Sequence, residues 1–286
     1  MSPWKAIGWT VAFMLLGLSA SGTVMAIWAL AKYGSVADGL TRILVARTDQ
    51  IVVAGTSQLL GFAFATWAIG FRALRLQRRD LRWAPPRIGL KGFAIGLTIG
   101  AAAAGLALLG AVALAHSHWS PDDGGLKDYV TQAVKTFVVL APAALSEEIM
   151  FRGLPLVLLA AVLGRATALV VVAGLVFALF HTLNPSVNAL GLGNIALAGI
   201  FLGVAFYAPG GLWTAFGAHL GWNATLAVLD APVSGLPFDI PLLDYCAGAP
   251  DWLSGGRFGP EGGLIATVAI TAAIVVTMRW AQKETV

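Results

Sequence analysis

The 286-residue chain reads as an all-α protein, a polytopic membrane helix bundle, on three grounds. Hydrophobic residues make up 58% of it and charged residues 11%, less than half of the roughly 25% that soluble domains carry. With a mean hydropathy of +0.82, it has too little polar surface to cover a globule in water. Apolar stretches long enough to cross a bilayer, roughly 20 residues each, recur along the chain, and lysine and arginine gather in one interval between them.

Eight spans are predicted. Ile7–Ala31 comes first; it is long and lacks a cleavage site of small residues, which argues against a secretory signal peptide. Ile51–Phe71 and Gly92–Ala115 follow. Tyr129–Leu163 is longer than a crossing needs, and Pro142 and Pro155 inside it predict a kink or a break. Ala166–Leu183, Ile195–Ala208 (short), Trp213–Leu229 and Gly263–Trp280 complete the set. The 34 glycines suit close helix packing, and the 10 tryptophans suit the membrane interface.

Between spans two and three lie Arg72, Arg75, Arg78, Arg79, Arg82, Arg87 and Lys91. The positive-inside rule makes that segment cytoplasmic, which places both termini inside and the aspartate-rich segments Ser117–Asp128 and Asp230–Glu261 outside. The net charge of +4 therefore describes orientation in a lipid bilayer, and no nucleic-acid partner is expected. The single cysteine, Cys246, precludes an internal disulfide. One integral membrane domain, residues 1–286, is expected, in a bacterial inner (cytoplasmic) membrane.

Charges inside spans are costly and usually face the protein interior. In "VVLAPAALSEEIMFRGLPLVLL", Glu148 and Arg152 stand at i and i+4, so they can neutralise each other. Glu147 lies about 100° away round the helix and stays available. His181 ends "VFALFH", with Phe177 four residues earlier. His219 and Asn223 in "FGAHLGWNATL" again share a face. Three spans thus offer polar groups to a bundle that has few others, and these groups satisfy one another most cheaply by meeting, which puts an active site inside the bundle. A carboxylate and an imidazole can take a proton from water, and an imidazolium with a carboxamide can donate to an oxyanion. Together they describe amide hydrolysis. Neither Ser146 nor Cys246 is set up as a nucleophile, so attack by water fits better than a covalent intermediate.

Read in order, "EEIMFRG", "FALFH" and "HLGWN" are EExxxR, FxxxH and HxxxN. They resemble the CPBP family of intramembrane proteases (CAAX prenyl protease type II and bacteriocin-processing, also called Abi). The resemblance covers residues 138–229, the expected catalytic core. It implies an endopeptidase that hydrolyses a peptide bond in or near the membrane in a membrane-associated peptide or protein substrate. By the same resemblance Glu147 with His181 activates the water, His219 and Asn223 stabilise the oxyanion, and Glu148 and Arg152 support the site. Members are often called metalloproteases. Glu147, His181 and His219 would make a two-histidine, one-carboxylate set for a divalent metal such as zinc, but the compact HExxH spacing is absent, so a metal cofactor stays open.

A transporter or proton pathway is the alternative, since intramembrane Glu, Arg and His also build relays. It is disfavoured because the polar groups lie only in the second half of the chain, whereas transporters repeat them in both. Of the lesser features, His116 and His118 read as solvated residues at a helix end. Asn184 and Asn194 read as caps or turn residues, Asn194 being within reach of the site. Trp222 reads as a lipid or packing contact.

Overall fold

The computed structural model describes residues 1–45 and 47–284, the side chains of 43–50 excepted. In chain order its helices are α1 (Pro3–Tyr33), α2 (Val36–Val45), α3 (Arg47–Ala65), α4 (Pro86–Ala115), α5 (Leu126–Glu147) and α6 (Leu154–Leu163). Then come α7 (Arg165–Ala168), α8 (Phe177–Leu179), α9 (Ala189–Tyr207), α10 (Leu212–Val228), α11 (Asp251–Ser254) and α12 (Leu264–Lys283). Three π-helical stretches interrupt them: Thr66–Ala73 follows α3, Glu148–Gly153 joins α5 to α6, and Leu169–Val176 joins α7 to α8. The only strands among the described residues, β1 (His118–Pro121) and β2 (Leu243–Cys246), pair antiparallel with Trp119 opposite Tyr245. The chain is an all-α polytopic helix bundle, as the composition predicts.

Each predicted span has a helical counterpart, but they are not eight equal crossings. Pro3–Tyr33, Ile51–Ala73, Pro86–Ala115, Ala189–Tyr207 and Leu264–Lys283 are long and apolar enough to cross a membrane. Arg165–Leu179 is a shorter apolar helix, and α10 has 17 residues. The fourth span is divided at Glu148–Gly153. Pro155 has no N–H to return to the Phe151 carbonyl, and Gly153 takes up the change with ψ at −119°. Pro142, by contrast, is carried inside α5.

The described chain forms two compact units. The first comprises Met1–Trp83 and Val138–Ala168. Small residues set its helix contacts: a side chain on Gly17 would strike the Phe62 ring, one on Gly61 would strike Ser21, and one on Gly55 would lie 2.9 Å from the Ala143 nitrogen. Phe13 and Phe62 stack with ring centroids 5.4 Å apart, and the buried Ser21 hydroxyl returns to the Gly17 carbonyl at 2.7 Å.

The second unit comprises Ala84–Phe137 and Leu169–Val286. Its centre is a parallel pair, α4 and α10, in backbone contact. Gly92, Gly96 and Gly100 of α4 meet the backbone along Gly210–Trp222, and Gly217 and Gly221 of α10 meet the Phe93 and Leu97 carbonyls in return. A four-residue spacing of small residues is how membrane helices, which gain nothing from expelling water, gain packing instead. It fixes α10, which carries His219 and Asn223. Further along, Gly110 faces Ile265 of α12, while at the other end of that antiparallel pair Lys91 meets the Glu284 carboxylate at 2.9 Å.

Candidate active site

The EExxxR segment lies in the first unit. Glu147 closes α5, and Glu148 opens the π-helical turn that ends at Gly153. Glu148 and Arg152 are fully buried, with Arg152 Nη1 donating to Glu148 Oε1 at 3.1 Å. The i, i+4 pair read from the sequence is therefore made. Glu147 is only half-buried. Ser146 is engaged elsewhere: its hydroxyl donates to the Ala143 carbonyl at 2.8 Å and to Gln58 Oε1 at 3.3 Å.

FxxxH and HxxxN lie in the second unit, where the Phe177 ring brings their histidines together. Its centroid is 4.6 Å from that of His181 and 6.2 Å, edge-on, from that of His219. His181 is not inside a helix, as the apolar run suggested, but in the turn after α8, its N–H reaching back to the Ala178 carbonyl at 2.9 Å. The turn brings His181 Nδ1 to 2.8 Å from the Phe177 carbonyl. A carbonyl only accepts, so Nδ1 carries a hydrogen, and in the neutral ring Nε2 is then the nitrogen with the lone pair. That is the tautomer a general base needs. His219 is 7% exposed, and Asn223, one turn further along α10, is half-buried.

Trp222 is the packing contact that its position allowed, not the lipid contact: it is buried, and Nε1 donates to Glu261 Oε1 at 2.9 Å. Asn194, also buried, gives both amide hydrogens to the backbone ahead of α12, the Glu261 and Gly263 carbonyls, each at 2.8 Å. It accepts from Thr267 Oγ1 at 2.6 Å. Asn184 donates to the Ser234 carbonyl at 2.9 Å. His116 is the exposed left-handed cap of α4, and His118 is exposed beside it. Cys246 sits on β2 with its sulfur 3.6 Å from Ser120 Oγ.

Glu261 is the polar residue the sequence reading passed over. It stands in a 3-10 turn just ahead of α12 and is 4% exposed. Burial pushes its carboxyl up; hydrogen bonds from Ser234 and Trp222 pull it partly back. "FGPEGGL" offered one signal: an acid flanked by small residues at the mouth of an apolar helix is hard to solvate freely. Asp230 behaves similarly. Burial raises it, against the N–H groups of Tyr245 and Ile240, which it accepts at 3.1 Å each. Those two bonds shape the segment leading into β2.

Among the described residues no three His, Cys, Asp or Glu side chains gather into a group that would hold a metal ion.

Residues 129–225 match the family model described as Rce1-like, type II CAAX prenyl endopeptidase. All seven motif residues fall within that interval, and the match agrees with the resemblance carried by EExxxR, FxxxH and HxxxN. No curated protein and no solved structure matches the chain.

Proposed function

With the Rce1-like segment as premise, we propose that the protein is an intramembrane endopeptidase of the CAAX prenyl protease type II kind, acting on a membrane-associated peptide or protein. The observation that carries this reading is the polar inventory of the matched segment: in one apolar stretch it holds EExxxR, FxxxH and HxxxN complete and in order.

In this reading Glu147 is the general base, aided by His181. Water attacks the scissile carbonyl carbon and its proton passes to the Glu147 carboxylate as the carbon–oxygen bond forms. His219 and Asn223 donate to the oxyanion. The carbon–nitrogen bond then breaks, and the departing amine takes the proton that Glu147 holds. Two features support the division of roles. Glu148 is sealed against Arg152, which leaves Glu147 as the half-buried carboxylate of the pair. The Phe177 carbonyl lies 2.8 Å from His181 Nδ1 and favours the neutral tautomer that leaves Nε2 for the water.

The test is cleavage of a prenylated peptide with a CAAX-type C-terminus by purified protein in detergent, followed by mass spectrometry. Glu147→Gln and His181→Ala are expected to abolish cleavage while keeping the melting temperature. Full cleavage by Glu147→Gln would overturn the mechanism.

A further inference from the structure

We propose that Glu261 is a positioning residue for the reaction, holding the His181 turn and the His219–Asn223 stretch of α10 to one fixed point. The inference rests on the endopeptidase reading and extends it to a residue outside the matched segment.

Two hydrogen-bonded paths leave the Glu261 carboxyl group. One runs through Oε1 to Trp222 Nε1 at 2.9 Å, and Trp222 stands between His219 and Asn223 on α10. The other runs through Oε2 to Ser234, which donates from both its backbone N–H and its hydroxyl, the latter at 2.9 Å. The Ser234 carbonyl in turn accepts from Asn184 Nδ2 at 2.9 Å, and the Asn184 N–H closes the turn onto the His181 carbonyl at 3.1 Å. Asn194 of α9 also ties down the Glu261 backbone, donating to its carbonyl at 2.8 Å.

The chemistry of the partners says why the residue is an acid. Indole and backbone N–H groups are donors only, and one faces each carboxyl oxygen. An amide would turn an NH2 toward one of them whichever way it flipped. A buried carboxylate is costly to desolvate, and an apolar side chain of similar volume would pack without that cost. Mere packing therefore does not account for Glu261. A rigid node between two motif-bearing segments does, since displacing a reacting group by about 1 Å costs on the order of 100-fold in rate.

The experiment compares wild type, Glu261→Gln, Glu261→Asp, Asn184→Ala and the double change Glu261→Gln with Asn184→Ala. It reads kcat, KM, melting temperature and the ring-nitrogen resonances of 15N-histidine-labelled protein in detergent. Glu261→Gln is expected to lower kcat about 10- to 100-fold with KM near wild type, and to shift the His181 and His219 signals. Glu261→Asp should restore part of kcat. Adding Asn184→Ala to Glu261→Gln should lower kcat little further, because both lie on one path. A kcat of Glu261→Gln within about twofold of wild type would overturn the proposal. So would a loss that only tracks lost folded protein while the ring signals stay put. Wild type that cleaves no peptide would refute the endopeptidase reading instead. The ring signals would then decide the positioning alone, and unchanged His181 and His219 resonances in Glu261→Gln would defeat it.

Discussion

Gly100→Ala tests whether the α4–α10 seam holds His219 and Asn223, the residues proposed to bind the oxyanion, in place. A Cβ at Gly100 would run into the Ala218 carbonyl oxygen, with the carbonyl carbon at 2.9 Å and the Trp222 nitrogen at 3.0 Å. These neighbours are backbone and cannot rotate aside. To reach the 3.4 Å where ordinary contact begins, the carbonyl carbon must retreat by about 0.5 Å and its oxygen by more. Ala218 directly precedes His219 and Trp222 directly precedes Asn223, so the wedge enters between the two proposed oxyanion donors. Overpacking of this kind costs about 1–3 kcal/mol, and a displacement approaching 1 Å costs on the order of 100-fold in rate. Gly105→Ala on the same helix is the control, for a Cβ there meets nothing within 4 Å. Melting temperature and peptide cleavage are measured for both in one detergent. Gly100→Ala should melt lower and cleave far more slowly, and Gly105→Ala should match wild type. If Gly100→Ala cleaves and melts like wild type, the seam does not position α10.

Two further outcomes are expected. Arg152→Ala strands the fully buried Glu148, a loss that typically costs about 3–5 kcal/mol. Its melting temperature should fall, and Glu148→Gln with Arg152→Met should recover part of it; a double variant less stable than Arg152→Ala contradicts a structural pair. For pH, the folded Glu261 carboxyl is raised above its ordinary value of 4.5 by burial, against the hydrogen bonds from Ser234 and Trp222. A raised carboxyl contributes stability that is fully present below the unfolded value and lost as pH rises through the folded one. The melting temperature of wild type minus that of Glu261→Gln should therefore shrink as pH rises; a difference that grows with pH contradicts the burial.

The sequence was legible where a residue's surroundings were set by lipid or by its own helix. Eight apolar runs announced helices because backbone polar groups in a bilayer must be satisfied within the segment. Glu148 and Arg152 announced each other because a charge there needs a partner, and i+4 lies within reach on the same helix. Hydropathy does not register how many residues fill a turn, so the π-helical stretches at Glu148–Gly153 and Leu169–Val176 were invisible. So was the exit of His181 from its helix. Contacts between distant segments were hidden for a different reason. Trp222 and Ser234 lie 39 and 27 residues from Glu261, and Trp119 pairs with Tyr245 across a long insertion. Nothing local to "FGPEGGL" or to "HLGWN" specifies that they meet. An indole in an apolar helix reads as a lipid or packing contact, and nothing local tells that its N–H is aimed at a carboxylate.

The irregular backbone and the polar side chains occur together, and the physics of the bilayer explains why. In a regular membrane helix each carbonyl is engaged by the backbone N–H four residues on, and a side chain can only share it, as the Ser21 hydroxyl shares the Gly17 carbonyl. A π-helical turn loosens that ladder locally, and such turns are frequent at functional sites. One of them carries Glu148 through Arg152, and another runs directly into Phe177. Past its end the Phe177 carbonyl holds His181 Nδ1, a bond that a continued α-helix would have given to the backbone N–H of His181. That N–H bonds instead to Ala178. The tautomer of His181 is thus set by the helix failing to continue, and Asn184 and Pro185, just beyond, keep it from resuming. Substituting an imidazole into a regular helix at the same depth would supply the ring but not the carbonyl that aims it. The chemistry proposed for this chain depends on where its helices stop being ideal as much as on which residues they carry.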